Sequence, residues 1–157
     1  MSKTAVVIYS YTNNTKKIAE MIHEKIDAEI IQIEKVTPYR GSYEEVVDLA
    51  KKEVKAGFKP SIQALGTKLD EYDTIILGTP VWWYTMAPAV LTFLSDTDLR
   101  GKRIIPFATN AGWLGHTFED IKKHCPGSEV LNEMNIEFSE DILKTTMNDL
   151  EQWIQSI

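Results

Sequence analysis

Apolar residues along the chain occur alternately as short continuous runs and as helical stripes. Residues 5–9 form a nearly continuous apolar run rich in β-branched side chains, which is typical of a parallel strand buried on both faces. From Thr15 onward, apolar residues recur at the spacing of one helical face, at Ile18, Ala19, Ile22 and Ile26. Residues 29–33 then predict a second strand, so the chain starts with the order strand, helix, strand.

The same alternation continues through the middle of the chain. Residues 43–55 predict a charged helix, which Gly57 and Pro60 end. Residues 74–77 predict a third buried strand. Pro88 suits the first turn of the helix that follows, because its missing N–H has no intrahelical partner there in any case.

The last third of the chain predicts two further strands and two helices. Residues 103–109 predict a fourth strand, with a bulge or bend at Pro106 because proline removes a ladder donor. A short helical stripe follows at Phe118, Ile121 and Cys125, and it ends before Pro126 and Gly127. Residues 130–138 predict a fifth strand, and Ser139, with Glu140 and Asp141 behind it, predicts the capped start of the last helix.

This order of elements defines the fold class. Strand and helix alternate five times without internal repeats or low-complexity linkers, which favours right-handed βαβ units and a parallel sheet covered by helices on both faces. Ligands bind such sheets beyond the carboxyl ends of the strands. That rule selects the first loop (residues 10–15), the second loop (79–87) and the third loop (109–116) as the candidate site.

Composition limits the class of protein further. With 157 residues, of which 43% are apolar, the chain fits one compact domain over residues 1–157. A lone Cys125 forms no internal disulfide, residues 1–4 lack a signal-peptide pattern, and no run approaches the ~20 apolar residues of a membrane span. We therefore expect a cytoplasmic protein. Its net charge of -6 disfavours nucleic acid and membrane surfaces as partners, and serves either solubility or a basic redox partner.

The first loop has the composition of an anion-binding loop. It contains Ser10, Tyr11, Thr12, Asn13, Asn14 and Thr15. Hydroxyl and amide side chains, together with the positive end of the helix dipole, hold a phosphate without a lysine inside the loop. A single such residue would be explained as a helix cap. Five of them in six positions exceed what one cap requires.

The second loop contains three consecutive aromatic residues, Trp82, Trp83 and Tyr84. They cannot all face the same way, so at least one should project outward, where its face can stack on a flat ring. The alternative is that the two tryptophans only anchor the core. Their place directly after a buried strand favours a cofactor wall.

Three motifs together resemble the flavodoxin family. Ser10-x-Thr12-x-Asn14-Thr15 resembles the FMN-phosphate signature S/T-x-T-G-N-T, with Asn13 at the usual glycine, a position where asparagine tolerates a positive φ. The segment Gly78-Thr-Pro-Val-Trp-Trp resembles the G-x-P-x-W-W segment of a bacterial flavodoxin subfamily. Residues 109–116 resemble that group's T-S-G-G-x-x-G segment, with Asn110 and Ala111 replacing small residues. With Cys-Pro-Gly at 125–127, the similarity covers essentially the whole chain.

This resemblance implies a flavodoxin-like three-layer sandwich with a five-stranded parallel sheet in the order 2-1-3-4-5, and FMN as the cofactor. The first loop would then bind the phosphate. Pro80, Val81, Trp82, Trp83, Tyr84 and Thr85 would line the ring and the ribityl chain, and Asn110, Ala111, Gly112 and Gly115 would flank the opposite side. The two glycines would let backbone amides approach the ring, unless they only form turns.

Other classes with a similar fold lack their marks in this chain. The acidic residues of response regulators, the Cys-x₅-Arg loop of phosphatases, a Walker lysine motif and G-x-G-x-x-G are absent from the sequence. The three histidines lack paired-ligand spacing, so no metal site is predicted. His116 ends the third loop, where it would meet either a reduced flavin or substrate oxygen, or only solvent at a helix start.

Three functions stay open at this point: electron transfer to a redox partner protein, NAD(P)H-dependent reduction of a small acceptor such as a quinone, and a non-catalytic flavin-binding sensor or docking module. The second loop contains no glycine. A peptide flip to positive φ there, of the kind that favours one-electron chemistry, would meet a Cβ penalty of about 1 kcal/mol. This favours paired-electron chemistry. Neither catalytic residues nor the oligomeric state can be predicted.

Overall fold

The computed structural model describes residues 3–157, which form eight strands and five α-helices. The strands are β1 Thr4–Ile8, β2 Ala28–Gln32, β3 Thr74–Trp82, β4 Thr85–Met86, β5 Arg103–Asn110, β6 Glu129–Val130, β7 Met134–Ser139 and β8 Ile142–Leu143. The helices are α1 Asn14–Lys25, α2 Tyr43–Ala56, α3 Pro88–Asp96, α4 Thr117–Lys123 and α5 Met147–Gln155. None of the helices within residues 3–157 is long and apolar enough to cross a membrane.

The five main strands are parallel and lie in the order β2-β1-β3-β5-β7. Counted along the chain as the five predicted strands, this is the order 2-1-3-4-5, and the predicted fold class is confirmed. Two short strands, β4 and β8, were not predicted, and β6 contains the start of the strand predicted over residues 130–138. β4 and β8 pair antiparallel with β3 and β7, and β6 extends the edge beside β5.

Helices cover both faces of the sheet because successive residues of a strand point to opposite faces. Val7 packs in one apolar cluster with Phe93 of α3 and Ile121 of α4. Val6 packs in the other cluster, with Ile22 of α1 and Leu150 of α5. α2 contacts α3 and β3 and so lies on the first of these faces. The alternation along β1 thus produces the three layers.

Cys125 belongs to the core, as its place on the helical stripe predicts. The side chain is buried, with 4% exposed, and packs in the same cluster as Val7. Burial raises the pKa of the Cys125 thiol to about 11. The thiol is therefore protonated at neutral pH and is a poor nucleophile.

The predicted strand over residues 130–138 is interrupted, and the cause lies partly in β5. The carbonyl of Ile104 accepts the N–H of Leu131 at 3.0 Å. The nitrogen of Pro106, two residues later, faces the same edge of β5 and has no hydrogen to donate there. On this edge Ile104 pairs with Val130 and Phe107 pairs with Met134, which leaves one extra residue between β6 and β7. On its other edge β5 pairs with β3 without interruption through Pro106. The bulge predicted at Pro106 therefore lies in the neighbouring chain segment.

The predicted start of the last helix at Ser139 is wrong. Ser139 ends β7, and Glu140 adopts a left-handed backbone with φ of 54° in the turn to β8. α5 begins instead after Thr146, whose hydroxyl accepts the N–H of Asp149 at 3.2 Å. Acidic residues after a serine fit a hairpin turn as well as a helix start. The consequence is that Glu140 and Asp141 lie at the carboxyl end of a strand.

Gly78 lies where β1, β3 and β5 are closest. A Cβ at Gly78 would stand 2.3 Å from Cζ of Phe107 and 2.8 Å from Cγ2 of Ile8, and both side chains are fully buried. We expect Gly78→Ala to lower the free energy of unfolding by about 3 kcal/mol, measured by urea denaturation. Gly66→Ala is the control, because Gly66 has a φ of 74° but a Cβ added there would meet no atom within 4 Å. We expect it to lower the free energy of unfolding by about 1 kcal/mol. Equal losses would contradict the steric explanation.

Candidate cofactor site

The three candidate loops meet at one cavity beyond the carboxyl ends of β1, β3 and β5. This first cavity has a volume of about 920 Å³. The predicted site residues that line it are Tyr11, Thr12, Asn14, Pro80, Val81, Trp82, Trp83, Asn110 and Ala111. A parallel sheet thus brings segments distant in sequence to one place, as expected for this fold class.

The remaining predicted residues do not line the first cavity. They are Ser10, Asn13, Thr15, Tyr84, Thr85, Gly112 and Gly115. Two of them fix the first loop. Ser10 Oγ accepts the N–H of Lys16 at 3.2 Å, and the buried hydroxyl of Thr15 lies 2.8 Å from that of Thr109.

The first loop has the backbone of an anion-binding loop. Asn13 has φ of 73° and ψ of -5°, the left-handed conformation that a glycine usually supplies. Within residues 3–157, the backbone N–H groups of residues 12–15 have no hydrogen-bond partner. These donors lie at the positive end of the α1 dipole, so the loop is suited to a negatively charged group.

Asn14 joins the first loop to the turn between β7 and β8. Its Nδ2 donates to the carbonyl of Glu140 at 2.7 Å, and Lys17 Nζ donates to the carbonyl of Asp141 at 3.4 Å. Asn14 Oδ1 is buried without a hydrogen-bond partner among the described residues. An acceptor without a donor destabilises a folded chain, so a ligand that brings hydroxyl donors fits this end of the cavity.

Trp82 serves both the core and the cavity wall. Its ring packs edge-on against Tyr9 and Tyr11, with centroids 5.9 and 5.7 Å away, and tilted against Tyr39 at 5.3 Å. The indole still lines the first cavity. Trp82 therefore packs on the core and also forms part of the cavity wall.

The phenols behind Trp82 form a neutral wall. Burial raises the pKa of Tyr9, and burial together with Glu53 raises the pKa of Tyr39. Tyr39 donates its hydroxyl proton to Glu53 Oε1 at 2.6 Å. Both phenols therefore keep their protons at neutral pH, and the aromatic wall adds no negative charge to the cavity.

Trp83 and Tyr84 form a two-residue turn, here called the Trp83–Tyr84 turn, between paired residues Trp82 and Thr85. Their φ angles are 53° and 69°. A hairpin turn with positive φ at both central residues is normally built from Asn and Gly. Two bulky aromatic residues in this conformation are strained, and such strain persists only where neighbouring groups hold it.

Neighbouring elements hold this turn from two sides. On one side, Trp83 Nε1 donates to the carbonyl of Val47 in α2 at 3.2 Å. On the other side, the N–H of His116 donates to the carbonyl of Tyr84 at 2.9 Å. Gly115 allows this approach, because a Cβ there would lie 2.4 Å from the Tyr84 carbonyl oxygen. Gly115 thus contacts the turn.

Asn110 organises the third loop. Its Oδ1 accepts the N–H of Gly112 at 2.9 Å and of Trp113 at 3.1 Å. The side chain of Asn110 also lines the first cavity, whereas Gly112 has open space around it. The side chain of Asn110 therefore shapes the loop by accepting hydrogen bonds from its backbone N–H groups.

Several residues that line the first cavity were not predicted from the sequence. They are Tyr43, Val46, Val47 and Ala50 of α2, Phe138, and the acidic pair Glu140 and Asp141, whereas Thr109 belongs to the third loop. The apolar residues of α2 have the spacing of a core-facing stripe, which hides their second role. Tyr43 lies at the start of the same stripe, and only the structure shows that its side chain is 75% exposed.

Fold and site together define an α/β protein with a ligand cavity at the carboxyl edge of a parallel sheet. The profile of the flavodoxin family matches residues 3–157. The chain belongs to the flavodoxin family.

Solved structures with the same fold cover nearly the whole chain. A flavoprotein in complex with FMN from Lactobacillus acidophilus NCFM is 23% identical, with 98% of this chain and 99% of that chain covered and a TM-score of 0.77. A protein from Bacteroides uniformis is 24% identical, with 98% of each chain covered and a TM-score of 0.84. A WrbA-like flavodoxin from Agrobacterium tumefaciens is 18% identical, with 99% and 92% covered and a TM-score of 0.66. At these identities the likeness establishes the fold.

A curated relative shares part of the sequence. The Escherichia coli K12 protein called "Uncharacterized NAD(P)H oxidoreductase YcaK" is 30% identical in an alignment 81 residues long, which covers 49% of this chain and 41% of that protein. The match thus spans less than half of the relative's length.

The contact between Gly115 and the Trp83–Tyr84 turn can be tested directly. In Gly115→Ala the new methyl group would collide with the Tyr84 backbone and separate the third loop from the turn. We expect the amide proton of His116 to exchange with solvent roughly tenfold faster, since it loses its acceptor. Hydrogen exchange followed by NMR measures this rate. Gly112→Ala is the control. Its φ of 110° also strains a non-glycine residue, but a Cβ added there would meet no atom within 4 Å. Unchanged exchange in Gly115→Ala would refute the contact.

Proposed function

We propose that the protein binds FMN non-covalently in the first cavity and uses it for redox chemistry. One observation carries the proposal: unpaired backbone N–H groups at the start of α1 lie at one end of a cavity of about 920 Å³ whose wall contains Trp82 and Trp83. A phosphate needs the first feature, and a flat ring needs the second. The FMN complex of the Lactobacillus acidophilus flavoprotein, which has the same fold, supports this choice.

The residues present fit the three parts of FMN. The N–H groups of residues 12–15 and the Thr12 hydroxyl would hold the phosphate. The ribityl hydroxyls would supply donors for acceptors that lack them, among which is Asn14 Oδ1. The indoles of Trp82 and Trp83 would contact the ring. Bound FMN accepts and releases electrons, while the chain orients the ring and limits access to it.

Charge around the cavity affects this binding. Glu140 and Asp141 line the same cavity as the first loop, and carboxylates beside a phosphate raise its free energy by repulsion. Their backbone carbonyls are occupied by Asn14 and Lys17. The ammonium group of Lys17, at the edge of the loop, offsets part of that repulsion. Phosphate binding therefore depends mainly on the backbone donors.

The phosphate assignment predicts a preference between two flavins. Apoprotein titrated with FMN and with riboflavin, and followed by flavin fluorescence, should bind FMN at least about tenfold more tightly, because charge-assisted hydrogen bonds to phosphate are among the strongest in proteins. Equal affinities for the two flavins would contradict phosphate binding by the first loop. They would leave flavin binding itself intact.

A charge change within the first loop tests the same assignment by mutation. Thr12→Glu places a carboxylate beside the unpaired N–H groups, and should abolish the preference for FMN while riboflavin affinity stays within about twofold. Ser95→Glu, on the exposed end of α3, is the control with the same change in net charge. If both variants retain the preference, the phosphate binds elsewhere.

Within this function we further propose paired-electron chemistry with NAD(P)H as donor and a small acceptor such as a quinone. The choice of donor is supported by the Escherichia coli relative, which is named as an NAD(P)H oxidoreductase. The Trp83–Tyr84 turn supports paired electrons, because Val47 and His116 hold it on two sides and oppose a peptide flip. The single buried cysteine supports a reducing, cytoplasmic setting.

Electron counting separates the open alternatives. In an anaerobic reductive titration we expect the bound flavin to take up two electrons in one step, with free FMN in the same buffer as the control. We also expect NADPH oxidation when a small quinone is added. Two separated one-electron steps without NADPH oxidation would favour transfer to a redox partner protein. Flavin binding with neither activity would favour a sensor or docking module.

A further inference from the structure

A second cavity lies beside the first, and the proposed function makes no use of it. It has a volume of about 190 Å³ and lies between α2, α3, α4 and the β4 strand. Val54 and Glu53 line it one to two turns beyond the α2 residues that line the first cavity. Thr85 and Met86 line it from the hairpin that also carries the Trp83–Tyr84 turn. The two cavities therefore share a helix and a hairpin but have separate linings.

The walls of the second cavity are mostly apolar. Val54, Phe58, Met86 and Leu91 supply aliphatic, aromatic and thioether surface. Since a water molecule takes about 30 Å³ in the liquid, the volume corresponds to about six waters. A ligand with roughly six to eight non-hydrogen atoms and a compact apolar body fits this space.

Hydrogen bonds fix the protonation pattern of the two histidines in the lining. His116 Nδ1 contacts the carboxylate of Asp120, and His124 Nδ1 lies 2.8 Å from the Asp120 carbonyl. Both partners are acceptors, so Nδ1 carries the proton in each ring. In the neutral imidazoles Nε2 is then an acceptor.

The carboxylates of the lining also have acceptor capacity left. Among residues 3–157, Asp120 receives its side-chain hydrogen bonds on Oδ2 alone, from Thr85 at 2.5 Å and from His116. Glu53 receives its bond from Tyr39 on Oε1 alone. One oxygen of each carboxylate is therefore free to accept a donor from a ligand.

The formal charge of the lining is negative. Glu53 and Asp120 are carboxylates, and none of the described residues that line the cavity is a lysine or an arginine. Lys35 interacts electrostatically with Glu53, but it lies outside the lining, and its Nζ is 3.1 Å from the centroid of the Tyr39 ring. Anions are therefore repelled, and a ligand with cationic donors is favoured.

A metal ion does not fit this arrangement. No group of three His, Cys, Asp or Glu side chains in the described part of the chain could hold one. Most of the lining surface is apolar besides, which suits the body of an organic ligand.

We propose that the second cavity is a binding site for a small primary amine with a compact apolar body. The ammonium group donates to the free oxygens of Glu53 and Asp120, and the apolar body packs between Val54, Met86 and Leu91. Charge complementarity selects an ammonium over a neutral or anionic head of the same size. This proposal does not rest on the binding of FMN.

Three probes with one body test the role of head charge. The full-length protein, labelled with ¹⁵N, is titrated with benzylamine, benzyl alcohol and benzoate. We expect saturable shifts of the amide signals of Gly57, Thr85, Met86 and His124 with benzylamine, at least tenfold weaker binding of benzyl alcohol, and no binding of benzoate. Equal binding of the three probes, shifts confined to other regions, or no saturation with benzylamine would overturn the proposal.

Three variants test the residues. Glu53→Gln and Asp120→Asn should each weaken benzylamine binding at least tenfold, and two variants guard against one that fails to fold. Val54→Phe should also weaken it, because the larger ring fills the cavity. Asp48→Asn is the matched control, since it removes the same charge from the exposed face of α2. Binding that falls as much in Asp48→Asn as in Glu53→Gln would overturn the site.

Discussion

The strained turn of Trp83 and Tyr84 is the constraint on which the site depends. A left-handed backbone costs roughly 1–2 kcal/mol for each non-glycine residue, and both residues adopt it. A hydrogen bond contributes about 1 kcal/mol, so the bonds to Val47 and from His116 are comparable with the strain that they oppose. The turn is stable because α2 and the third loop are both in place. The positions of its aromatic side chains therefore depend on the packing of α2 and the third loop.

This balance explains why the third loop needs its glycine. The N–H of His116 reaches the Tyr84 carbonyl only if the preceding residue has no side chain, because a Cβ at Gly115 would overlap that carbonyl. The same approach places His116 at the start of α4, where its ring contacts Asp120. One backbone contact thus fixes the turn beside the first cavity and a histidine beside the second.

The sequence predicts the sheet and the loops well, because both follow from local patterns. Residues 5–9 are apolar without interruption, and Asn13 can replace glycine at a left-handed position, which its φ of 73° now displays. The missed features depend on contacts between distant segments. The bulge opposite Pro106 depends on which edge of β5 its nitrogen faces, and the turn at Glu140 has the same local composition as a helix start.

The contribution of α2 to the site was also beyond sequence patterns. Val46 and Ala50 occupy a helical stripe of the kind that packs on a core, and they are buried. The stripe alone does not show that these residues also border the first cavity. Only the position of Trp83, which contacts Val47 on the same helix, shows where the wall of the site lies.

The two cavities differ in the sign of the group that their polar atoms suit, and this difference follows from helix direction and helix composition. The first cavity contains the N-terminal end of α1, where N–H groups point outward and favour an anion. The second lies between the C-terminal end of α2 and the first turns of α3 and α4, so helix ends of both signs meet there and its charged groups are side chains. Those side chains are carboxylates and imidazoles with free acceptors. Both cavities share the β3–β4 hairpin, so if a ligand in the second cavity changes the affinity of the first cavity for its ligand, that ligand changes the affinity of the second cavity by the same factor.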